Sequence, residues 1–248
     1  MKIVGITKVR NESEIIKDTL DHFSKFCNAG IYVYDDCSTD NTKDICLEHD
    51  AVRGVIIGKH WDKNREEAEY KNRQVVLLEA KKDKPDWIIY FDADERIDWD
   101  FKGFENYDAV KMRLFDYYIT EEDKNLNYKD RKWLGPEFRE IIMMFRNVPG
   151  INYGIPDQRQ VTLSRKNKRV LEAGFVKHYG KAISVKQWEE TCDYYINNFK
   201  ISDYVEKWKA RKGKAIHTLS DFGNKLVTWD QKEKTSIFIN NLKKRKKI

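Results

Sequence analysis

The stretch WIIYFDADER, Trp87 to Arg96, constrains the fold more than any other part of the chain. Trp87, Ile88, Ile89, Tyr90 and Phe91 are apolar or aromatic with no alternation, the pattern of a strand enclosed on both faces within a parallel sheet. Acid follows at once. In an extended chain residues two apart share a face, so Asp92 and Asp94 are expected to point into one crevice at the carboxyl end of that strand. Two hard carboxylates there suit Mg²⁺ or Mn²⁺, which keep coordination sites for phosphate oxygens. The same residues also read as an ordinary acidic turn, because Asp-x-Asp alone is a weak signal.

Length and charge narrow the class. With 248 residues the chain can bury a substantial core, and 13% aromatic content excludes a disordered polymer. Of the net charge of +6, five units are Lys243, Lys244, Arg245, Lys246 and Lys247, which leaves 6 − 5 = +1 for the body. A nucleic-acid-binding fold is therefore not expected, and the basic tail is a local feature suited to weak contact with an anionic membrane surface or to a solvated terminus. Cys27, Cys37, Cys46 and Cys192 form no C-x-x-C pair, so free buried thiols and a reducing, cytoplasmic compartment are expected. Lys8 and Arg10 interrupt any signal-peptide core, and no apolar run approaches the roughly 20 residues that span a bilayer.

From the start, Lys2 to Thr7 reads as a buried strand, and Asn11 with Glu14 as a capping box opening a helix whose inner face carries Ile15, Ile16, Leu20, Phe23 and Phe26. A second strand, Ile31 to Tyr34, runs into Asp35-Asp36-Cys37-Ser38-Thr39-Asp40-Asn41-Thr42, whose hydroxyl and carboxylate groups are expected to cap the next helix. Val52 to Ile57 is a third strand. A polar helix over about 65–82 is expected to turn Ala68, Val75 and Leu78 inward before Pro85 and the central strand. The alternation of strand and helix defines an α/β protein with a mostly parallel sheet flanked by helices, and ligands of such sheets bind beyond the carboxyl ends of the strands. Val9-Arg10-Asn11-Glu12, Asp35-Asp36 and Asp92-Ala93-Asp94 should meet there.

The segments VRNESEII, YDDCSTDNT and WIIYFDADE, in this order and spacing, resemble GT-A fold glycosyltransferases, particularly those of family 2. Lys71-Asn72 resembles the Arg-Asn pair of that family's preceding helix, with Lys in place of Arg. The resemblance implies the GT-A fold and a nucleoside-diphosphate sugar bound across the strand ends. By it Val9, Arg10 and Glu12 would lie against the nucleoside, Asp35 or, by preference, Asp36 would accept a hydrogen bond from the base, and Lys71 would contact base or phosphate. Asp92 would reach the ribose or a metal-bound water, and Asp94 would hold the cation. Arg10 and Glu12 also fit a plain surface ion pair.

In the second half, Val110, Met112 and Leu114 alternate with Lys111 and Arg113, as in a half-buried strand. The polar and aromatic stretch from Tyr117 to Trp133 suits a sugar-binding loop or an ordered surface loop. Glu140 to Arg146 returns to a strand, and the turn after it ends in Pro156-Asp157 where the family places His-Glu. The resemblance therefore makes Asp157 the expected catalytic base, with Glu137 in reserve, although a Pro-Asp pair also caps turns. His178, after the apolar run that begins at Gly174, resembles the family's His-Tyr element at the metal or diphosphate. As an imidazole ligand it favours Mn²⁺ over Mg²⁺, and a hydrogen-bonded structural histidine is the plain alternative. Val185, Trp188, Cys192, Tyr195 and Phe199, then Tyr204, Trp208 and Arg211, recur at helical spacing suited to core packing. The segment 214–229 has no assigned element, and a lid, an acceptor wall and a dimer contact fit it equally.

The expected organisation is a GT-A catalytic domain over 1–184, with a nucleotide-sugar-binding half (1–108) and an acceptor and catalytic half (109–184). A helical extension with the basic tail would follow over 185–248. The expected activity is metal-dependent, inverting transfer of a hexosyl or deoxyhexosyl group from a sugar nucleotide to a hydroxyl of a glycan or other acceptor. A nucleotidyltransferase of related fold would want glycine in the loop VRNES, and a haloacid-dehalogenase-type phosphatase would want Thr or Val where Glu95-Arg96 stands. A carbohydrate- or polyanion-binding module would bind without turnover.

Overall fold

A computed structural model describes residues 1–154, 159–164, 169–199 and 202–239. The chain divides into two compact units, the first Met1–Met112 with Ile141–Gly174 and the second Arg113–Glu140 with Phe175–Ile248.

The first unit opens with the expected alternation: β1 (Ile3–Val9), α1 (Ile16–Ser24), β2 (Ile31–Asp35), α2 (Thr42–Glu48), β3 (Val52–Ile57), α3 (Arg65–Lys81) and β4 (Trp87–Tyr90). These strands lie in the order β3-β2-β1-β4 and all pair in parallel, so their carboxyl ends share one edge. The strand β7 (Leu134–Arg146) then adds antiparallel to β4, with Trp87 opposite Arg146. The order continues through β6 (Ala109–Tyr117) and β8 (Val170–His178) to β5 (Glu95–Asp98).

All four residues of β4 are buried, as an unbroken apolar run in mid-sheet demands. On one face Val4, Ile6, Ile88 and Tyr90 pack with Val76, Leu77 and Ala80 of α3. On the other, Phe91 stacks on Phe23 of α1 at 3.7 Å between ring centroids. Gly5 is required here, since a Cβ would lie 2.8 Å from Cys27 Sγ.

Two helix expectations need correction. Val75 and Leu78 of α3 point outward, 43% and 53% exposed, whereas Val76, Leu77 and Ala80 are buried together with Arg65 and Arg73. The inward face carries two arginines, so its apolar stripe reads as shifted. The helix α1 begins at Ile16, not at a capping box on Asn11, because Asn11 sits at φ 53° and its side chain accepts from Thr39 N at 2.8 Å instead. Asn41, the residue before α2, makes no side-chain cap, and Asp40 Oδ1 accepts the Thr42 N–H at 3.0 Å. The cysteines at 27, 37, 46 and 192 are free, as expected.

In the second unit β7 begins at Leu134, earlier than the expected 140, because Gly135 and Pro136 mask its pattern. Near them Glu137 pairs in register with Ile237 of β9 (Ile237–Phe238). The stretch 120–131 is an ordered loop: Asp123 Oδ1 accepts from Thr120 N at 2.8 Å, and buried Arg131 donates to Ala182 O at 2.8 Å. The helices α4 (Val185–Asn198) and α5 (Ser202–Arg211) form where the spacing puts them. They bury Trp188, Cys192 and Trp208, and Tyr195 stacks on Trp208 at 4.4 Å. Segment 214–229 is tied to the rest of this unit by isolated bridges, Ile216 to Ile119 just beyond β6 and Val227 to Leu134 at the start of β7. Among the described residues no helix is long and apolar enough to cross a membrane.

Candidate functional site

At the shared strand edge of the first unit the loops after β1 and β2 are cross-stitched. Asp36 N donates to Val9 O at 2.9 Å, Glu12 N to Thr42 Oγ1 at 2.7 Å and Ser13 N to Asp40 Oδ2 at 3.2 Å. Arg10 does not pair with Glu12. Its guanidinium donates to the carbonyls of Asp36, at 2.6 Å, and Cys37, at 2.5 Å, and stands 4.9 Å from the Trp61 ring centroid.

The two acids ending β2 differ in what holds them. Asp36 accepts from Asn72 Nδ2 at 3.0 Å and pairs with Arg65 Nη2, whose side chain is wholly buried. Asp35 accepts the Ser38 N–H at 3.0 Å through Oδ1, while its Oδ2 is buried without a hydrogen-bond partner. Lys71 is half exposed and pairs along its own helix with Glu67 at 3.1 Å. Its neighbour Asn72 is the one that reaches the strand ends.

Asp92 and Asp94 do not continue the strand. Asp94 lies in the turn between β4 and β5, closed by Glu95 N donating to Asp92 O at 3.2 Å, so the extended-chain argument for a shared face does not apply. Proximity survives through the turn: burial, then Asp94, then Asp92 push the Glu12 carboxyl well above the usual carboxylate range. Both oxygens of Asp92 are engaged, Oδ1 by the Tyr90 hydroxyl at 2.6 Å and Oδ2 by Arg159 Nε at 2.8 Å. Burial opposes its charge, but the Arg159 and Arg73 guanidinium groups hold it well below the ordinary range.

Behind these acids runs an ion-pair relay that hydrophobic periodicity does not reveal. Arg65, Glu69 and Arg73 stand four residues apart on α3, and Glu69 binds Lys8 at 2.9 Å, Arg65 at 3.0 Å and Arg73 at 3.1 Å. Burial raises the Glu69 pKa, but Lys8 and Arg73 bring it down to about 2. The i, i+4 spacing of opposite charges was the available signal. Arg159 had none, since its partners Asp92 and Glu95 lie 67 and 64 residues away.

The expected base Asp157 lies outside the described residues, as does the basic tail 243–247. The reserve acid Glu137 belongs to the second unit, where Oε1 accepts from Ser220 Oγ at 2.6 Å and Asn224 Nδ2 at 2.5 Å. His178 also belongs to that unit. Its Nδ1 lies 2.7 Å from Asp116 Oδ1, and Asp116 further binds Arg139 at 2.6 Å and Lys181 at 2.7 Å. Among the described residues no group of three or more His, Cys, Asp or Glu side chains is arranged to hold a metal. Asp92 and Asp94 belong to the first unit and His178 to the second. The hard oxygens of Glu12 and Asp94 fit a divalent ion that takes few protein ligands and fills its shell from bound phosphate and water.

Parallel strands with acids crowded at their carboxyl ends, followed by an antiparallel β7, define a GT-A domain. Residues 6–151, more than half of the chain, match glycosyl transferase family 2, and the chain belongs to that family. An uncharacterized protein of Mycobacterium tuberculosis and one of Mycobacterium bovis are each 31% identical to it over 144 residues, which is 57% of this chain and 33% of theirs. The chain thus spans about a third of the length of the curated relatives it matches. Among solved structures, glucosyl-3-phosphoglycerate synthase from Mycobacterium tuberculosis, in complex with Mn²⁺, UDP and glucosyl-3-phosphoglycerate, is 19% identical, with a TM-score of 0.33 over 46% of this chain and 44% of that one. Mannosyl-3-phosphoglycerate synthase from Rubrobacter xylanophilus is 18% identical, with a TM-score of 0.32 over 53% and 45%.

Proposed function

We propose that this protein is a glycosyltransferase that moves a sugar from a nucleoside-diphosphate sugar to a hydroxyl of a glycan or other acceptor, with inversion and with the help of a divalent cation. The supporting observation is the gathering of Glu12, Asp92 and Asp94 beyond β1 and β4, where burial first, then Asp94 and Asp92, oppose the charge on Glu12. Carboxylates so crowded are relieved by a cation.

Glu12 and Asp94 are the residues proposed to hold that cation, because their carboxylates are close enough for Asp94 to raise the Glu12 pKa. When bound, Mn²⁺ or Mg²⁺ supplies positive charge against the negative charge that develops on the departing diphosphate. Val9 and Arg10 would wall the nucleoside. Asp35, with one oxygen unpartnered, is the better acceptor for a base N–H, and Asp36, held by Arg65 and Asn72, fixes the loop. Asp157 is proposed to take the proton of the acceptor hydroxyl as it attacks the anomeric carbon opposite the leaving group.

The test is release of nucleoside diphosphate from a panel of sugar nucleotides with Mn²⁺, with Mg²⁺ and in EDTA. Turnover that depends on the metal, and that falls at least about 100-fold in folded Asp94→Ala, supports the reading. Undiminished turnover in EDTA overturns it. The anomeric configuration of the product, read by NMR, decides inversion.

A further inference from the structure

Three nitrogens of one part-buried side chain, that of Arg159, are accounted for unequally. Arg159 Nε donates to Asp92 Oδ2 at 2.8 Å, and Nη2 donates to Glu95 Oε2. The third nitrogen, Nη1, is buried without a hydrogen-bond partner. The guanidinium also lies 5.1 Å from the centroid of Tyr90, whose hydroxyl holds the other oxygen of Asp92. Glu95 in turn accepts the Asp92 backbone N–H at 3.0 Å. Asp92, Glu95 and Tyr90 thus form a socket for one cationic side chain at the end of β4.

We infer that Arg159 is a resident cation of the donor site, seated by Asp92 and Glu95 so that Nη1 donates to an anionic oxygen of the donor's diphosphate. This rests on the sugar-nucleotide reading given above and deepens it. Two acids of the strand end then divide the work. Asp94, with Glu12, faces the exchangeable metal, while Asp92 acts through Arg159 as a positioning residue. A planar guanidinium fixed by two carboxylates presents its remaining N–H groups in a set direction, which a lysine ammonium cannot reproduce. Neutralisation from the protein side also means that part of the diphosphate affinity persists without metal.

Isothermal calorimetry of UDP, GDP and inorganic pyrophosphate with the full chain, in EDTA and again in Mn²⁺, tests this. The variants are Arg159→Ala and Arg159→Lys, each checked for folding by circular dichroism. Wild type is expected to keep measurable affinity for at least one of these ligands in EDTA. Arg159→Ala is expected to weaken that affinity roughly tenfold or more, for pyrophosphate as well as nucleotide, and Arg159→Lys to recover part of it through charge alone. A purely structural arginine would give no recovery specific to the diphosphate. If Arg159→Ala fails to fold, Arg159→Lys and Arg159→Gln carry the comparison, with the lysine variant binding more tightly. Wild-type and variant affinities that coincide overturn the role of Arg159 and leave the donor reading standing. A wild type that binds none of the three ligands, with or without Mn²⁺, overturns both.

Discussion

The Tyr90 hydroxyl donates to Asp92 Oδ1 at 2.6 Å, so the last residue of β4 fixes an acid two positions beyond it. The Tyr90 hydroxyl oxygen in turn accepts from Arg73 Nε at 2.8 Å, and burial pushes the phenol well above its ordinary pKa, which keeps it protonated as the donor. Replacing Tyr90 with Phe removes both bonds and leaves the buried Arg73 guanidinium and the part-buried Asp92 carboxylate each short of a partner. The expected loss is about 1–3 kcal/mol in urea unfolding, with weaker metal-free diphosphate binding because the socket of Arg159 loosens.

His22 makes the protein sensitive to mild acid. Its Nε2 accepts the Ile97 N–H at 3.0 Å, so the neutral ring is the form the fold holds, and burial, then Arg96, lower its pKa from 6.5 to about 4. In that window the unfolded chain takes up a proton that the folded chain refuses. Stability is therefore intact above pH 6.5, declines as pH falls through the window and levels off below about 4. The decline attributable to this residue is up to about 3 kcal/mol. Unfolding curves of wild type and His22→Gln between pH 7 and 4 should diverge by that contribution.

Arg65 and Lys71 lie on the same helix with opposite consequences. The Arg65 side chain is 0% exposed against Asp36, so Arg65→Met takes from a buried carboxylate its nearest cation, leaving Asn72 and the more distant Lys8, and is expected to cost about 3 kcal/mol. Lys71, 55% exposed beside Glu67, should tolerate alanine within about 0.5 kcal/mol. Urea midpoints of the two variants check the contrast.

Glu12→Gln removes a charge that burial and two neighbouring aspartates oppose. Without metal, the variant is expected to melt at or above the wild-type temperature at pH 8. The rise in Tm on adding Mn²⁺ should fall to half or less of the wild-type rise, because a ligand stabilises only in proportion to its affinity for the folded state. Differential scanning fluorimetry with a Mn²⁺ titration measures both.

Sequence by itself determined the alternation of strands and helices in the first half, the burial of β4, the meeting of polar strand ends at one sheet edge and the family, because these are written in short-range periodicity and ordered motifs. It also put α4 and α5 at their places, since Trp188, Cys192 and Trp208 keep helical spacing. Periodicity failed on α3, where Arg65 and Arg73 occupy the inward face and look like solvent-facing residues until Asp36, Glu69 and Tyr90 are seen beside them.

Tertiary structure alone decided which acids are engaged and which keep an open oxygen. Asp35 and Asp36 are adjacent in the chain, yet Asp36 is held by a helix that begins 29 residues later while one oxygen of Asp35 is left over. Asp92 acquires its cation from Arg159, 67 residues on, and His178 is held by Asp116, 62 residues before it. The physical reason is range: hydrophobic pattern acts over a few residues and specifies the elements, whereas charges pair with whatever the completed sheet brings within about 3 Å.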